Sequence, residues 1–354
     1  MPHLSERTLK AILSGIILLG ISFFNLAQDN DIQDTVPTTP EIDSPQETDS
    51  PSLTIEQRIA QAKLQLTELT AELKANKKNK QAVSILDKRS LADQQINLNP
   101  FSLAQHNTNY LLPISYVSNP NPTSQQDLTS ENIDKVEAVF QISTKIPIYL
   151  EIDEEQEALS GVYFGFTARS FWQVYNDEVS KPFRETNYEP EVFYQWQADL
   201  SLLKYRFNAL QIGVNHQSNG QSGLRSRSWN RVIFTALFSD ADSAYYVRSW
   251  WRFPEDTKTS RDDPTGDDNP DINDYIGRVE LGYAFQVNNI EIFTRIRNNL
   301  SGSQNRGSLQ MNLTYPLSQR YDLLLQYFNG YGDSLIEYNS HQSRFSLGVQ
   351  LRFL

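Results

Sequence analysis

The chain has 354 residues, with 31 Lys and Arg against 43 Asp and Glu, a formal net charge of −12. That balance excludes the basic face a nucleic-acid binder needs to neutralise phosphates. The absence of cysteine excludes a disulfide framework, a thiolate metal site and a cysteine nucleophile.

The first element is an export signal. Arg7 and Lys10 precede an apolar run of 14 residues, Ala11 to Phe24. A span needs about 20 residues, so this run is short for a transmembrane helix, and cleavage after Ala27 is expected. The alternative is a short anchor that stays attached. Residues 28–57 carry eight acids and no Lys or Arg, with frequent Pro, Ser and Thr. Such a stretch cannot bury a core and is expected to be a disordered spacer. Ile55, Ile59, Ala62, Leu66, Leu69 and Leu73 then follow alternating steps of four and three. That predicts a short amphipathic helix, either a solitary one on its tether or a brief coiled coil. Residues 28–98 therefore form a leader region, and 99–354 the folded domain.

Beyond about residue 100 the period becomes two. Val136, Phe140 and Ile142 alternate with Glu137 and Gln141; Leu281, Tyr283 and Phe285 with Glu280, Gly282 and Ala284. Ile290, Ile292 and Ile296 alternate with Glu291, Arg295 and Arg297, and the chain ends on Phe345, Leu347, Val349, Leu351 and Phe353. Mean hydropathy is nevertheless negative, because a membrane barrel shows only alternate residues to lipid. About twelve such strands fit between Asn109 and Leu354, with short turns alternating with long ones. An all-β antiparallel transmembrane barrel in a Gram-negative outer membrane is expected.

One segment places polar residues on the apolar face. Leu210, Ile212 and Val214 share parity with His216 and Ser218; Asn230 shares parity with Val232 and Phe234. Polar groups among lipid-facing positions are costly unless paired. His216 can take the proton of Ser218 as a general base, and the Asn230 amide oxygen can hold the imidazole in its tautomer. A neutral Asn suits a lipid-facing place better than a carboxylate. A self-satisfying polar cluster at the rim is the other reading. Among the remaining histidines, His106 and His341 have no partner at ligand spacing and are expected at the surface. Asp267 to Asp271 reads as a solvated turn, and Ile272 at the required Gly position excludes an EF-hand loop.

Asn215-His216-Gln217-Ser218-Asn219-Gly220 and Ser226-Arg227-Ser228-Trp229-Asn230-Arg231 resemble the two signature blocks of the outer membrane phospholipase A family. Pro182 to Pro190, Asp267 to Asp271 and Gly330 to Leu335 are similar to further blocks of it, so the likeness runs from about Asn99 to the C-terminus. The resemblance implies a twelve-stranded barrel, with Ser218 as nucleophile, His216 as base and Asn230 as the orienting residue. It implies hydrolysis of acyl esters of phospholipids and lysophospholipids, of A1 and A2 type, by a homodimer that needs Ca2+. The implied calcium ligands are Ser180, the carbonyl of Gln221, the hydroxyl of Ser226 and Asp268. The chain departs from the family pattern at Gln221, which replaces an Arg, at Gly223, which replaces an Asp, and in an insertion over 252–266. The rival functions are a non-enzymatic channel or adhesin and a soluble esterase on a β-sandwich.

Overall fold

The computed structural model describes residues 104–121, 129, 132–151, 160–180, 183–202, 205–240, 242–260, 263 and 266–352. The expected signal, spacer and helix lie outside the described residues, as do Pro182 and Phe353. A two-residue strand, β1 (Ala104–Gln105), precedes the wall. The wall begins with β2 (Asn109–Val117), β3 (Val136–Glu151), β4 (Ser160–Trp172), β5 (Glu185–Leu202), β6 (Tyr205–Ser218) and β7 (Ser228–Ser239). It continues with β8 (Ser243–Arg252), β9 (Val279–Val287), β10 (Ile290–Asn298), β11 (Gly307–Pro316), β12 (Tyr321–Gly330) and β13 (Gln342–Leu351). Each strand pairs antiparallel with the next, and β13 pairs with β2. The result is a closed barrel of twelve antiparallel strands, as the count of alternating segments predicts.

The pleat sorts the side chains by chemistry. Leu111, Ile142, Ile212, Leu281, Ile296, Leu313, Leu325 and Leu347 face outward and are exposed. Glu137, Ser143, Thr167, Asn215, Arg231, Glu280, Asn312 and Gln326 face inward and are buried. A soluble sandwich would show the reverse, so this apolar belt is a lipid-facing wall. The buried carboxylates Glu137 and Glu280 are paired, which offsets their loss of hydration. Arg184 donates to both oxygens of Glu137 at 2.8 and 2.9 Å, and Arg344 donates to the same carboxylate at 2.8 Å. Arg297 reaches Glu280 at 2.6 Å. Pro113 and Pro147, which cannot donate to a ladder, fall where β2 and β3 slip register against their neighbours.

The connections divide by end. Residues 288–289 and 317–320 make tight turns at one end, with Asn288 in the left-handed region at φ 54°. Residues 219–227, 253–278 and 331–341 make long connections at the other. The 253–278 connection carries a one-turn helix, α1 (Ile272–Tyr275). Segment 331–341 folds back over the barrel mouth. Leu335 and Tyr338 pack with Ile272, Ile276, Trp229, Ile233 and Trp250 in a small apolar core. Asp333 in the same segment is buried between Arg344, at 2.7 Å, and Arg169, at 2.9 Å.

Candidate active site

The site lies where β6 and β7 leave the apolar belt at the end with long connections. The β6–β7 register pairs Ile212 with Phe234, Val214 with Val232, His216 with Asn230 and Ser218 with Ser228. Two outward apolar rows thus turn polar within one ladder. His216 Nδ1 lies 2.8 Å from Asn230 Oδ1. An amide oxygen only accepts, so Nδ1 carries the proton and the lone pair is on Nε2. Ser218 stands two residues further on the same face. Among the described residues its hydroxyl makes no hydrogen bond with the ring, so Nε2 is the nitrogen left for it. Both side chains are half-buried.

The alternate residues of these strands hold the site from inside. Arg231 donates to Asn215 Oδ1 at 2.6 Å and to Glu189 at 2.9 Å, and Trp229 Nε1 donates to Gln217 at 2.8 Å. A cavity of about 1140 Å³ inside the barrel is lined by Gln217, Trp229 and Arg231 but by none of Ser218, His216 and Asn230. The site therefore opens onto the outer wall rather than the lumen. Tyr188 on β5 is the ladder partner of Ser218, and Trp251 on β8 is the partner of Val232. Both rings are exposed and flank the site with apolar surface.

After Ser218 the chain must leave the strand. Gly220, at φ 63°, makes that turn. A Cβ there would be strained and would meet the Tyr188 ring at 3.3 Å. Buried Asn219 ties the turn together: its Oδ1 accepts from Arg227 N at 3.0 Å and its Nδ2 donates to Arg225 O at 2.8 Å. Of the N–H groups here, Asn219's goes to Arg227 O and Gln221's to Asn219 Oδ1, whereas Gly220's goes to neither.

Of the four expected calcium ligands, the structure brings Ser226 and Asp268 together, with Ser226 Oγ donating to Asp268 Oδ2 at 2.6 Å. The Ser180 carbonyl accepts from Trp172 Nε1 at 2.7 Å, and no contact among the described residues links Ser180 or the Gln221 carbonyl to that pair. A hydroxyl and a carboxylate are the hard donors calcium takes, so the pair fits one corner of such a site. No cluster of three or more His, Cys, Asp or Glu that could hold a metal occurs among the described residues, so further donors must be carbonyls, water or a second copy. Lys258, from the insertion, sits 2.5 Å from the other oxygen of Asp268.

Several residues act where the sequence gives little signal. Asp267 to Asp271 is not a simple solvated turn: Asn269 is fully buried and its Oδ1 accepts from Ser228 N at 3.0 Å. Arg252 pairs with Asp267 at 2.5 Å and holds this segment against the site. His106 is corrected from a surface residue to an interior one. It is bonded to Glu191 inside the barrel and stacked on Phe193 at 5.4 Å. A histidine that precedes the first wall strand gives no periodic signal, and its partner is 85 residues away. His341 is exposed, as expected. Glu255, also in the insertion, accepts from Asn230 Nδ2 at 3.2 Å.

Residues 86–351 match the family Phospholipase A1. The chain is 32% identical to Phospholipase A1 of Salmonella typhimurium over 257 residues, covering 72% of this chain and 82% of that protein. It is 33% identical to Phospholipase A1 of Escherichia coli, covering 83% of that relative and 72% of this chain. Outer membrane phospholipase A from E. coli superposes with a TM-score of 0.63 at 31% identity, over 72% of this chain and all of that one. The Salmonella typhi outer membrane phospholipase, solved as a dimer with bound calcium, superposes with a TM-score of 0.65 at 31% identity, over 75% of this chain and 97% of that one. An E. coli structure of an active-site mutant, in which an asparagine is changed to alanine, has the same TM-score of 0.65 at 30% identity, over 75% and 98% of the two chains. With its inverted barrel and this likeness over three quarters of its length, the chain belongs to the phospholipase A1 family of Gram-negative outer-membrane β-barrels.

Proposed function

We propose that the protein is a calcium-dependent phospholipase that hydrolyses acyl esters of phospholipids and lysophospholipids, at either glycerol position, through Ser218, His216 and Asn230. The observation that carries this reading is the His216–Asn230 hydrogen bond on the outward face, beside Ser218 in the same row of the ladder. Ser218 Oγ attacks the acyl carbonyl carbon, and its proton passes to His216 Nε2. The ester C–O bond then breaks, and the proton goes from His216 to the departing glycerol oxygen. Water, deprotonated by the same nitrogen, releases the fatty acid and restores Ser218. Asn230 keeps the ring from rotating and stabilises it while it is charged.

Position selects the substrate. Ser218 lies four residues beyond Val214, about 13 Å further along the strand. The nucleophile thus stands at the upper edge of the apolar belt, at the depth of lipid esters rather than of acyl chains. Tyr188 and Trp251 offer aromatic walls to an acyl chain lying on the barrel. The Gly220 N–H is the backbone donor left for the developing oxyanion. Ser226 and Asp268 would hold calcium with the Gln221 carbonyl, and Ser180 would come from a second copy. The cation would supply positive charge beside that oxyanion. The S. typhi relative, a dimer with bound calcium, supports a reading in which this chain too binds calcium as a dimer.

The test is hydrolysis of phospholipid vesicles by the detergent-refolded chain, as wild type and as Ser218→Ala, with calcium and with chelator. Hydrolysis that requires both the hydroxyl and calcium is expected. A folded Ser218→Ala barrel that retains full activity would refute the assignment.

A further inference from the structure

The triad residue Asn230 is itself held by a group that the family blocks do not contain. A primary amide can be turned through 180° in its place, exchanging oxygen for nitrogen at little cost in shape. Only one of the two orientations serves His216: with Oδ1 toward the ring, Nδ1 is the protonated nitrogen and Nε2 is free to act on Ser218. With Nδ2 toward the ring, Nδ1 would have to accept, and the proton would sit on Nε2, where it blocks the base.

Four observations bear on which orientation holds and on what fixes Glu255 in place. Asn230 Nδ2 donates to Glu255 Oε1 at 3.2 Å. A carboxylate only accepts, so it selects the amide nitrogen for its own side and leaves the oxygen to His216. The segment bearing Glu255 is pinned to the same residue, because Phe253 N donates to the Asn230 backbone carbonyl at 2.9 Å. Phe253 also packs edge-on against Trp251 at 5.0 Å, which fixes where the insertion leaves the barrel wall. Glu255 is half-buried, so its hold on the amide is sheltered from water in part.

We propose that Glu255 is a positioning residue of the triad: by taking the Asn230 amide N–H it locks the amide oxygen on His216 and adds a negative charge behind the ring. The site then reads Ser218, His216, Asn230, Glu255, a neutral amide relaying a carboxylate that could not itself sit against lipid. Arg252 at the end of β8 and Asp267 and Asp268 before α1 are the other charges that act on Glu255. This inference rests on the triad reading above.

The experiment compares wild type, Glu255→Ala and Glu255→Gln as refolded full-length chains. Each is measured for kcat and KM on phospholipid and for labelling of Ser218 by a fluorophosphonate across pH, with thermal unfolding in parallel. Glu255→Ala is expected to lower kcat about tenfold with KM unchanged. Glu255→Gln, whose side-chain oxygen still accepts the N–H, is expected to recover most of that loss. Both variants lose the charge, so the acid limb of the labelling profile is expected to move down by about half a unit in each. Equal acid limbs in all three proteins would overturn the proposal, as would a kcat loss that tracks the thermal midpoint alone. A wild type whose Ser218 does not label would overturn the triad, and the proposal with it. Labelling of wild type with unmoved variants would overturn the proposal alone.

Discussion

Replacing Asn230 by alanine isolates the His216 hydrogen bond from the rest of the wall. The backbone of Asn230 keeps its register with His216, and its carbonyl still accepts from Phe253 N. What disappears is the 2.8 Å contact to Nδ1, and with it the amide's 3.2 Å bond to Glu255, which acts on the ring only through that contact. A hydrogen bond to a group that becomes charged is worth about 1.5 to 3 kcal/mol. At about 1.4 kcal/mol per factor of ten, kcat should fall roughly ten- to 150-fold. The loss belongs in kcat, because the imidazole is charged in the transition state and not in bound substrate. The assay is initial-rate hydrolysis of a phospholipid in mixed micelles with saturating calcium, with heat-modified gel mobility to confirm the closed barrel. A kcat within about twofold of wild type would refute the reasoning, since no single hydrogen bond of this kind is worth so little at the reacting centre. A loss as complete as that of Ser218→Ala would also refute it, because orientation alone would then be carrying the whole chemistry.

Further perturbations separate wall, site and mouth. Leu325→Arg, in the middle of β12 and facing lipid, should destabilise the folded barrel by about 2 to 4 kcal/mol in urea titrations. An unchanged midpoint would show that this face does not meet hydrocarbon. Lys258→Ala removes the ammonium that sits on Asp268, so calcium should bind about threefold more tightly, read as the calcium dependence of the thermal midpoint. Weaker or unchanged binding would argue that Asp268 is not a ligand. Burial alone would raise the carboxyl of Asp333, but Arg344 and Arg169 overcome it and hold the group at about 2, below its ordinary 3.8. Its contribution, about 2 kcal/mol, is complete above about pH 4 and is lost as pH falls toward 2. The stability gap between wild type and Asp333→Asn should narrow over that window.

The wall was legible because lipid on one side and polar packing on the other impose the period of two on every strand. Outward Ile212 and Val214 and inward Asn215 and Arg231 follow directly from that alternation. The pairing of His216 with Asn230 was legible for the same reason, since parity puts them on one face before the register is known. Residues that act from connections were not. Asn219, Asn269 and Glu255 work through side-chain hydrogen bonds to backbone or amide groups, and such bonds leave no periodic trace. The interior role of His106 depends on where a short segment before the wall is tucked, and on a partner far along the chain. Segment 331–341 reads as a loop in sequence. Its acids Asp333 and Glu337 are buried because three arginines far apart in the chain, Arg169, Arg184 and Arg344, converge on them only after the barrel closes.

The location of Ser218 at one rim of a wall that crosses the whole bilayer has a consequence for supply. A lipid in the leaflet beside the long connections brings its ester level with the hydroxyl. The same lipid in the opposite leaflet, with the same headgroup and chains, stays a membrane's thickness away. With Ser218 as the proposed nucleophile, selection at this rim is by side before it is by structure. Turnover in an intact bilayer would follow how fast lipids change leaflets, and a membrane with strict asymmetry would keep a fully assembled catalyst starved.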